Sequence, residues 1–222
     1  MTDITFTPAD YLNMRRRSVA LHSKIFKKLT HDDYKTCAKQ LGIWRNKTIA
    51  VDSDEAMDKF TDYTIYGYRP RGFNMAEKFL RLFSKEADDF ELALLRQLRH
   101  ARYAIYQIED TDGSEFLRAV DVFSKQTYRL MDYQMAKTAY TGLMLAGYLV
   151  DFDEFTIQTG GTVLVTREIL QADEVEAVID EIDDAQLTSF LNDATNGAKL
   201  ARAILTATFR LQQTSNFKHH QV

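Results

Sequence analysis

The chain has 222 residues, of which 45% are apolar, 27% charged and 12% aromatic. That mixture can bury a core and excludes a disordered, collagen-like or disulfide-stapled chain. A net charge of −4 argues against indiscriminate nucleic-acid binding by the whole surface, and only two prolines and nine glycines favour long helices.

Residues 1–100 read as a helical region. Thr7, Pro8 and Asp10 form a capping signature for a helix running to about Leu29. Thr30 with Asp33 repeats the signature, and Gly42 suits a left-handed close of the second helix. Residues 48–51 are β-branched and short, an edge strand or an extended loop. Ser53 opens a third helix reaching about Tyr66. Tyr68-Arg69-Pro70-Arg71-Gly72 breaks the pattern, and residues 73–83 and 86–99 read as two further helices. In the second of these, Leu92, Leu94, Leu95 and Leu98 form an apolar stripe.

Residues 101–167 change period from helical to alternating. Strands are expected at 103–108, 116–123, 127–131, 143–152, 155–159 and 163–165, with a helical turn in 132–142. Asp110-Thr111-Asp112-Gly113 is a turn signal, and Gly160-Gly161 a tight turn or bulge. The near-continuous apolar run 143–152 predicts a central strand buried on both faces. Five or six short strands in so few residues suggest a small antiparallel sheet curled toward a barrel.

Residues 168–222 return to helix. Asp173 with Glu176 is another capping pair, and Val175, Val178, Ile179 and Ile182 share a face. Asn196-Gly197 predicts a break before a final helix lined by Leu200, Ile204, Leu205, Thr208 and Leu211. Phe217 onward, including His219-His220, reads as a loose tail. The fold class is therefore α+β: an N-terminal helical region, a small barrel-like sheet and C-terminal acidic helices, packed as one unit.

Charge is segregated along the chain. Residues 11–47 hold ten Lys or Arg against two Asp or Glu, whereas 168–193 hold nine Asp or Glu and no Lys or Arg. One reading docks the acidic helices on or near the basic ones, within the chain or in a second copy or partner protein. The other turns Arg15, Arg16, Arg17, Lys24, Lys27 and Lys28 toward nucleic acid, with Arg17, Lys24 and Lys28 on one helix face.

Few motifs carry chemistry. Cys37 is the sole cysteine and excludes an intrachain disulfide; its apolar helical neighbours suit a small buried side chain. The histidines, His22, His31, His100, His219 and His220, show no metal-ligand spacing, so no metal site is expected. Phosphate-binding loops and a G-x-S-x-G elbow are missing, and no cofactor is implied. Ala38 and Gly42 have the spacing of a helix-turn-helix, but Thr48 replaces a required apolar residue and an Asn-Lys turn interrupts the second helix. Asp58 and Asp62, at i and i+4, fit a solvated face better than an acid–base pair. Asp62, Tyr63, Tyr66, Arg69 and Arg71 form the candidate ligand-binding cluster, because tyrosine rings with arginines can build a polar pocket. The competing reading packs Tyr63 and Tyr66 against the leucine-striped helix. The opening Met1-Thr2-Asp3-Ile4-Thr5 lacks the features of a signal peptide, and no apolar run approaches the ~20 residues of a membrane span. A cytoplasmic location is expected.

Leu41-Gly42-Ile43-Trp44, Asp52, Asp62-Tyr63, Tyr66, Arg69, Gly72, Asn74, Glu77, Leu94-Leu95 and Ala101-Arg102-Tyr103 resemble an uncharacterised bacterial family. Val120-Asp121-Val122-Phe123, Tyr128, Leu130, Gly142, Ala146-Gly147-Tyr148-Leu149 and Thr159-Gly160-Gly161 are similar to the small β module that precedes the SEC-C zinc motif in some bacterial proteins. The resemblance covers about 41–165. The SEC-C cysteines and histidine are missing, so it implies no zinc and no reaction. The sequence thus reads as a non-enzymatic binding or protein-interaction module. A nucleic-acid-binding regulator using the basic helices, and an enzyme with its site near the Tyr/Arg cluster, are the alternatives.

Overall fold

The computed structural model describes residues 4–111, 113, 115–182 and 193–219. At the start, the Thr7 amide and hydroxyl both donate to the Asp10 carboxylate, at 2.9 and 2.8 Å. A 3-10 turn at Pro8–Asp10 then feeds α1 (Tyr11–Phe26). The Asp33 amide donates to the Thr30 hydroxyl while the Thr30 amide donates to Asp33, which fixes the start of α2 (His31–Gln40). Gly42, at φ +71°, closes it. Where a helix-turn-helix would place its second helix stands a hairpin, β1 (Trp44–Arg45) and β2 (Thr48–Ile49). Asn46 and Lys47 both take the left-handed conformation that a two-residue hairpin turn requires.

Ser53 caps α3 (Asp54–Asp62), which runs into a wider π turn at Tyr63–Gly67. The buried Asn74 caps α4 (Met75–Phe83) and also donates to the Arg99 carbonyl at 2.9 Å, tying it to the end of α5 (Asp89–Leu98).

The barrel comprises β3 (Arg102–Thr111), β4 (Phe116–Asp121), β5 (Thr127–Met131), β6 (Met144–Asp151) and β7 (Thr156–Gln158); α6 (Met135–Thr138) lies between β5 and β6. The strand order is β3-β4-β5-β7-β6, and β6 pairs back onto β3 to close the sheet. β8 (Val163–Leu164) adds to β6. The barrel is mixed where an antiparallel sheet was expected: β5 and β7 run parallel at Leu130 and Thr156. On β3, Ala104, Tyr106 and Ile108 point into the barrel, where Leu117, Leu130 and Leu149 join them. Gln158 seals a buried network, accepting from Tyr106 and Thr162 and donating to Asp132 at 2.9 Å. The interior is a packed core with its polar groups satisfied.

Outside the barrel, one apolar cluster joins Phe6, Phe60, Ile105, Val150 and Leu205. Helices α7 (Arg167–Leu170), α8 (Asp173–Asp180) and α9 (Ala194–His219) complete the chain. The expected break at Asn196-Gly197 lies inside the first turn of α9 instead. Helix entry falls at Asp193, whose carboxylate accepts from the Thr195 and Asn196 amides at 2.6 and 3.1 Å. The helix continues through His219, past Phe217, where a loose tail was expected. Ile182, placed on an apolar helical face, lies just beyond α8; Asp183, Asp184 and His220 lie outside the described residues.

Among the described residues, the segregated charges find partners other than each other. Arg17 pairs with Asp88, Lys24 with Glu91 at 2.6 Å and Lys28 with Glu86 at 2.7 Å. The acidic helix α8 is met by α9, through Glu174 with Arg210, and Glu181 pairs with Lys199. Among the described residues, no ion pair joins the basic helices to 168–182. No described helix is long and apolar enough to cross a membrane.

Candidate functional site

Arg15, Val19, His22 and Phe26 recur at helical spacing and present one face of α1. Met57, Asp58, Thr61 and Asp62 do the same on α3. With Thr159 and Gly160, just after β7, these residues line a cleft of about 490 Å³. Its apolar walls are open to solvent: Val19 is 67% exposed and Met57 37%.

Two contacts set the spacing of the walls. Arg15 Nη1 donates to the carbonyls of Gln158 and Thr159, at 2.7 and 3.1 Å, holding α1 against the end of β7. From α3, Asp62 Oδ2 accepts from the Thr159 hydroxyl and from the Gly161 amide at 2.8 Å. Glycine is required at 161. A Cβ there would stand 2.8 Å from Lys59 Cα and 2.9 Å from the Asp58 carbonyl, both backbone atoms.

Asp62 is 4% exposed, and burial pushes its carboxyl up to about 6 against the opposing pull of its hydrogen bonds and Arg15. Its Oδ1 accepts no hydrogen bond among the described residues. His22 Nε2 and the Tyr66 hydroxyl share a hydrogen bond of 2.6 Å. Burial, with Arg15 adding to it, lowers the imidazole to about 4, so His22 is neutral at physiological pH. Tyr66 is fully buried and its hydroxyl is held well above the usual range by that burial.

The structure divides the sequence cluster. Asp62 lines the cleft, and Tyr66 reaches it through His22. Tyr63 is buried elsewhere, its hydroxyl donating to Gln40 at 3.0 Å. Arg69 borders a second, smaller cavity, which also takes in the Tyr66 ring. Arg71 is exposed, at φ +66° in the turn after Pro70. Of the basic face, Arg17, Lys24 and Lys28 all engage carboxylates of the 86–91 segment. The sequence reading grouped Arg15 with the basic helix and His22 with the histidines that lack metal spacing, and placed neither at this cleft; the signal was the alternation of polar and apolar residues at 15, 19, 22 and 26. No group of three or more His, Cys, Asp or Glu is placed to hold a metal among the described residues.

The site can do two things. It can seat an apolar group between Val19, Phe26 and Met57, and it offers a buried carboxylate oxygen to a hydrogen-bond donor. Residues 7–184 match a family of unknown function, DUF7986. The match fits the resemblance to an uncharacterised family and shows no link to the module that precedes SEC-C motifs. Comparison with curated proteins and with solved structures gave no match.

Proposed function

The chain belongs to the DUF7986 family, and from its own geometry we propose that it is a small-molecule-binding protein whose ligand occupies the α1–α3 cleft. The ligand has an apolar body, laid against Val19, Phe26 and Met57, and a donor-bearing head, an amine or hydroxyl, directed at Asp62 Oδ1. The observation that carries this reading is an oxygen of a buried carboxylate, without a hydrogen bond among the described residues, at one end of an apolar-walled cleft. Arg15 is already engaged by the β7 carbonyls, so its role is to shape the cleft. The setting is a reducing bacterial cytoplasm, a placement supported by the lone, buried thiol of Cys37.

A thermal-shift panel of primary alkylamines and alcohols tests the proposal on the native chain, Asp62→Asn and Val19→Arg. Compounds that raise the native Tm should lose most of that increment in both variants. A panel without stabilisers, or stabilisers acting equally on all three proteins, overturns it.

Catalysis is the second reading, favoured by the Asp62 carboxyl near 6, which suits a group that takes and returns a proton at physiological pH. It requires that a bound compound be converted, with a pH profile inflecting near 6 that Asp62→Asn abolishes. The nucleic-acid reading has less support, because Arg17, Lys24 and Lys28 already meet carboxylates.

A further inference from the structure

Residues 34–51 carry Lys35, Lys39, Arg45 and Lys47 and no Asp or Glu. Ala38 and Gly42 of this stretch have helix-turn-helix spacing, and the fold supplies a hairpin in place of the second helix. The chain doubles back at Gly42. There the Ile43 amide donates to the Ala38 carbonyl at 2.9 Å, and the Ala50 amide to the Ile43 carbonyl at 2.8 Å. The hairpin thereby lies along α2, and the Trp44 ring meets the His31 ring edge to face with centroids 5.9 Å apart. His31, Lys35 and Lys39 follow at intervals of four, so both lysines stand on that flank of the helix.

These cations differ from those of α1. Arg17, Lys24 and Lys28 meet carboxylates. Lys35, Lys39 and Lys47 make no ion pair among the described residues. Asp32, the exposed carboxylate of α2, stands 4.0 Å from His31, and Asp33 is engaged by Thr30 and the Tyr68 hydroxyl. Lys47 carries a second signal. It holds φ +62° at the exposed hairpin tip, a conformation that glycine takes freely and lysine only at a cost. No hydrogen bond or ion pair of its side chain among the described residues offsets that cost.

We infer that the flank formed by α2 and the hairpin binds the phosphate backbone of duplex nucleic acid through Lys35, Lys39, Arg45 and Lys47. The class of partner follows from what the surface lacks. Protein interfaces are built round an apolar centre depleted of lysine, and no large apolar side chain of residues 31–51 is exposed. Unpaired bases are held by stacking on rings, and Trp44 is packed against the core. A duplex backbone asks only for cations, and contacts of that kind carry no sequence preference. The net charge of −4 does not oppose this, because salt at ~0.1 M screens exposed charges beyond about 10 Å. The flank is separate from the Asp62 cleft and stands or falls apart from it.

The test is fluorescence anisotropy of short labelled duplexes, one DNA and one RNA, titrated with the full chain over a KCl series. The association constant should fall about 150-fold between about 50 and 200 mM KCl, from the log–log slope of about −3.6 that four phosphate contacts give. The duplex bound more tightly identifies the backbone. Lys39→Gln should bring the slope to about −2.7 and weaken binding several-fold at the lower salt. Lys47→Gly should weaken binding likewise while leaving Tm unchanged or raising it by ~2 °C, which separates a binding role from a structural one. Lys137→Gln, on the barrel, should change neither reading. No anisotropy change by about 100 μM protein at about 50 mM KCl overturns the inference. So does binding that Lys39→Gln and Lys47→Gly both leave unchanged. Displacement of the duplex by polyglutamate at equal charge concentration also overturns it, and would assign the flank to an acidic protein segment.

Discussion

Replacing Asp62 by Asn should stabilise the fold at neutral pH, against the usual expectation for a buried, hydrogen-bonded residue. Burial raises the Asp62 carboxyl from 3.8 to about 6. At ~1.36 kcal/mol per pKa unit, the folded state opposes ionisation of this group by about 3 kcal/mol. The sign follows from proton uptake: between 3.8 and about 6 the folded protein binds the proton that the unfolded chain has released. Its contribution is therefore fully present below the unfolded value and is lost as pH rises through the folded one. Asparagine keeps an acceptor oxygen for Thr159 and Gly161 and removes the charge. The gain should be about 3 kcal/mol at pH 7.5 and shrink to about 1 kcal/mol at pH 4.5. Urea unfolding of both proteins across that range measures the difference directly. Loss of stability at pH 7.5, or a gain that does not change with pH, would show that Asp62 is at ease when ionised. The case for a carboxylate kept at this position for its ligand would then fail.

Other perturbations have equally definite outcomes. Gly161→Ala forces a Cβ against the backbone of Asp58 and Lys59, so α3 must move; a loss of about 1–3 kcal/mol in urea unfolding is expected. Lys24→Ala leaves the 2%-exposed Glu91 carboxylate to the Asp88 amide at 3.2 Å and Arg17 at 3.5 Å; it should cost about 1–3 kcal/mol, read by the same method. Burial pushes the Cys37 thiol up to about 12, so a thiol-specific disulfide reagent should label it only at the rate of unfolding. Rapid labelling of the native protein would contradict its burial.

Much of the fold was legible because the signals were local. The Thr30–Asp33 cap, the left-handed Gly42 and the strand alternation from Tyr103 to Ile108 each follow from residues within a few positions of one another. The parallel β5–β7 contact was not legible, since side chains alternate identically in parallel and antiparallel strands. Asn196-Gly197 misled because helix entry was set three residues earlier, by the Asp193 carboxylate. The site was half legible. Asp62 was singled out from its neighbourhood in the chain, but its chemistry comes from Thr159 and Gly161, about a hundred residues away. Tyr63 and Tyr66 looked like partners on one helix face; the π turn beginning at Tyr63 widens the backbone there and sends one ring to Gln40 and the other to His22.

The filled barrel has a consequence for how this chain can change. With its interior taken up by Tyr106, Leu117, Leu130 and the Gln158 network, the barrel acts as a peg on which the helices are mounted. The proposed binding cleft lies outside it, between α1 and α3. The packed interior and the proposed cleft are thereby built from different residues. Volume-conserving exchanges inside the peg should alter melting without altering what is bound, while exchanges on α1 and α3 can retune the cleft and leave the peg intact. A scaffold partitioned in this way can acquire new ligands without having to refold its centre.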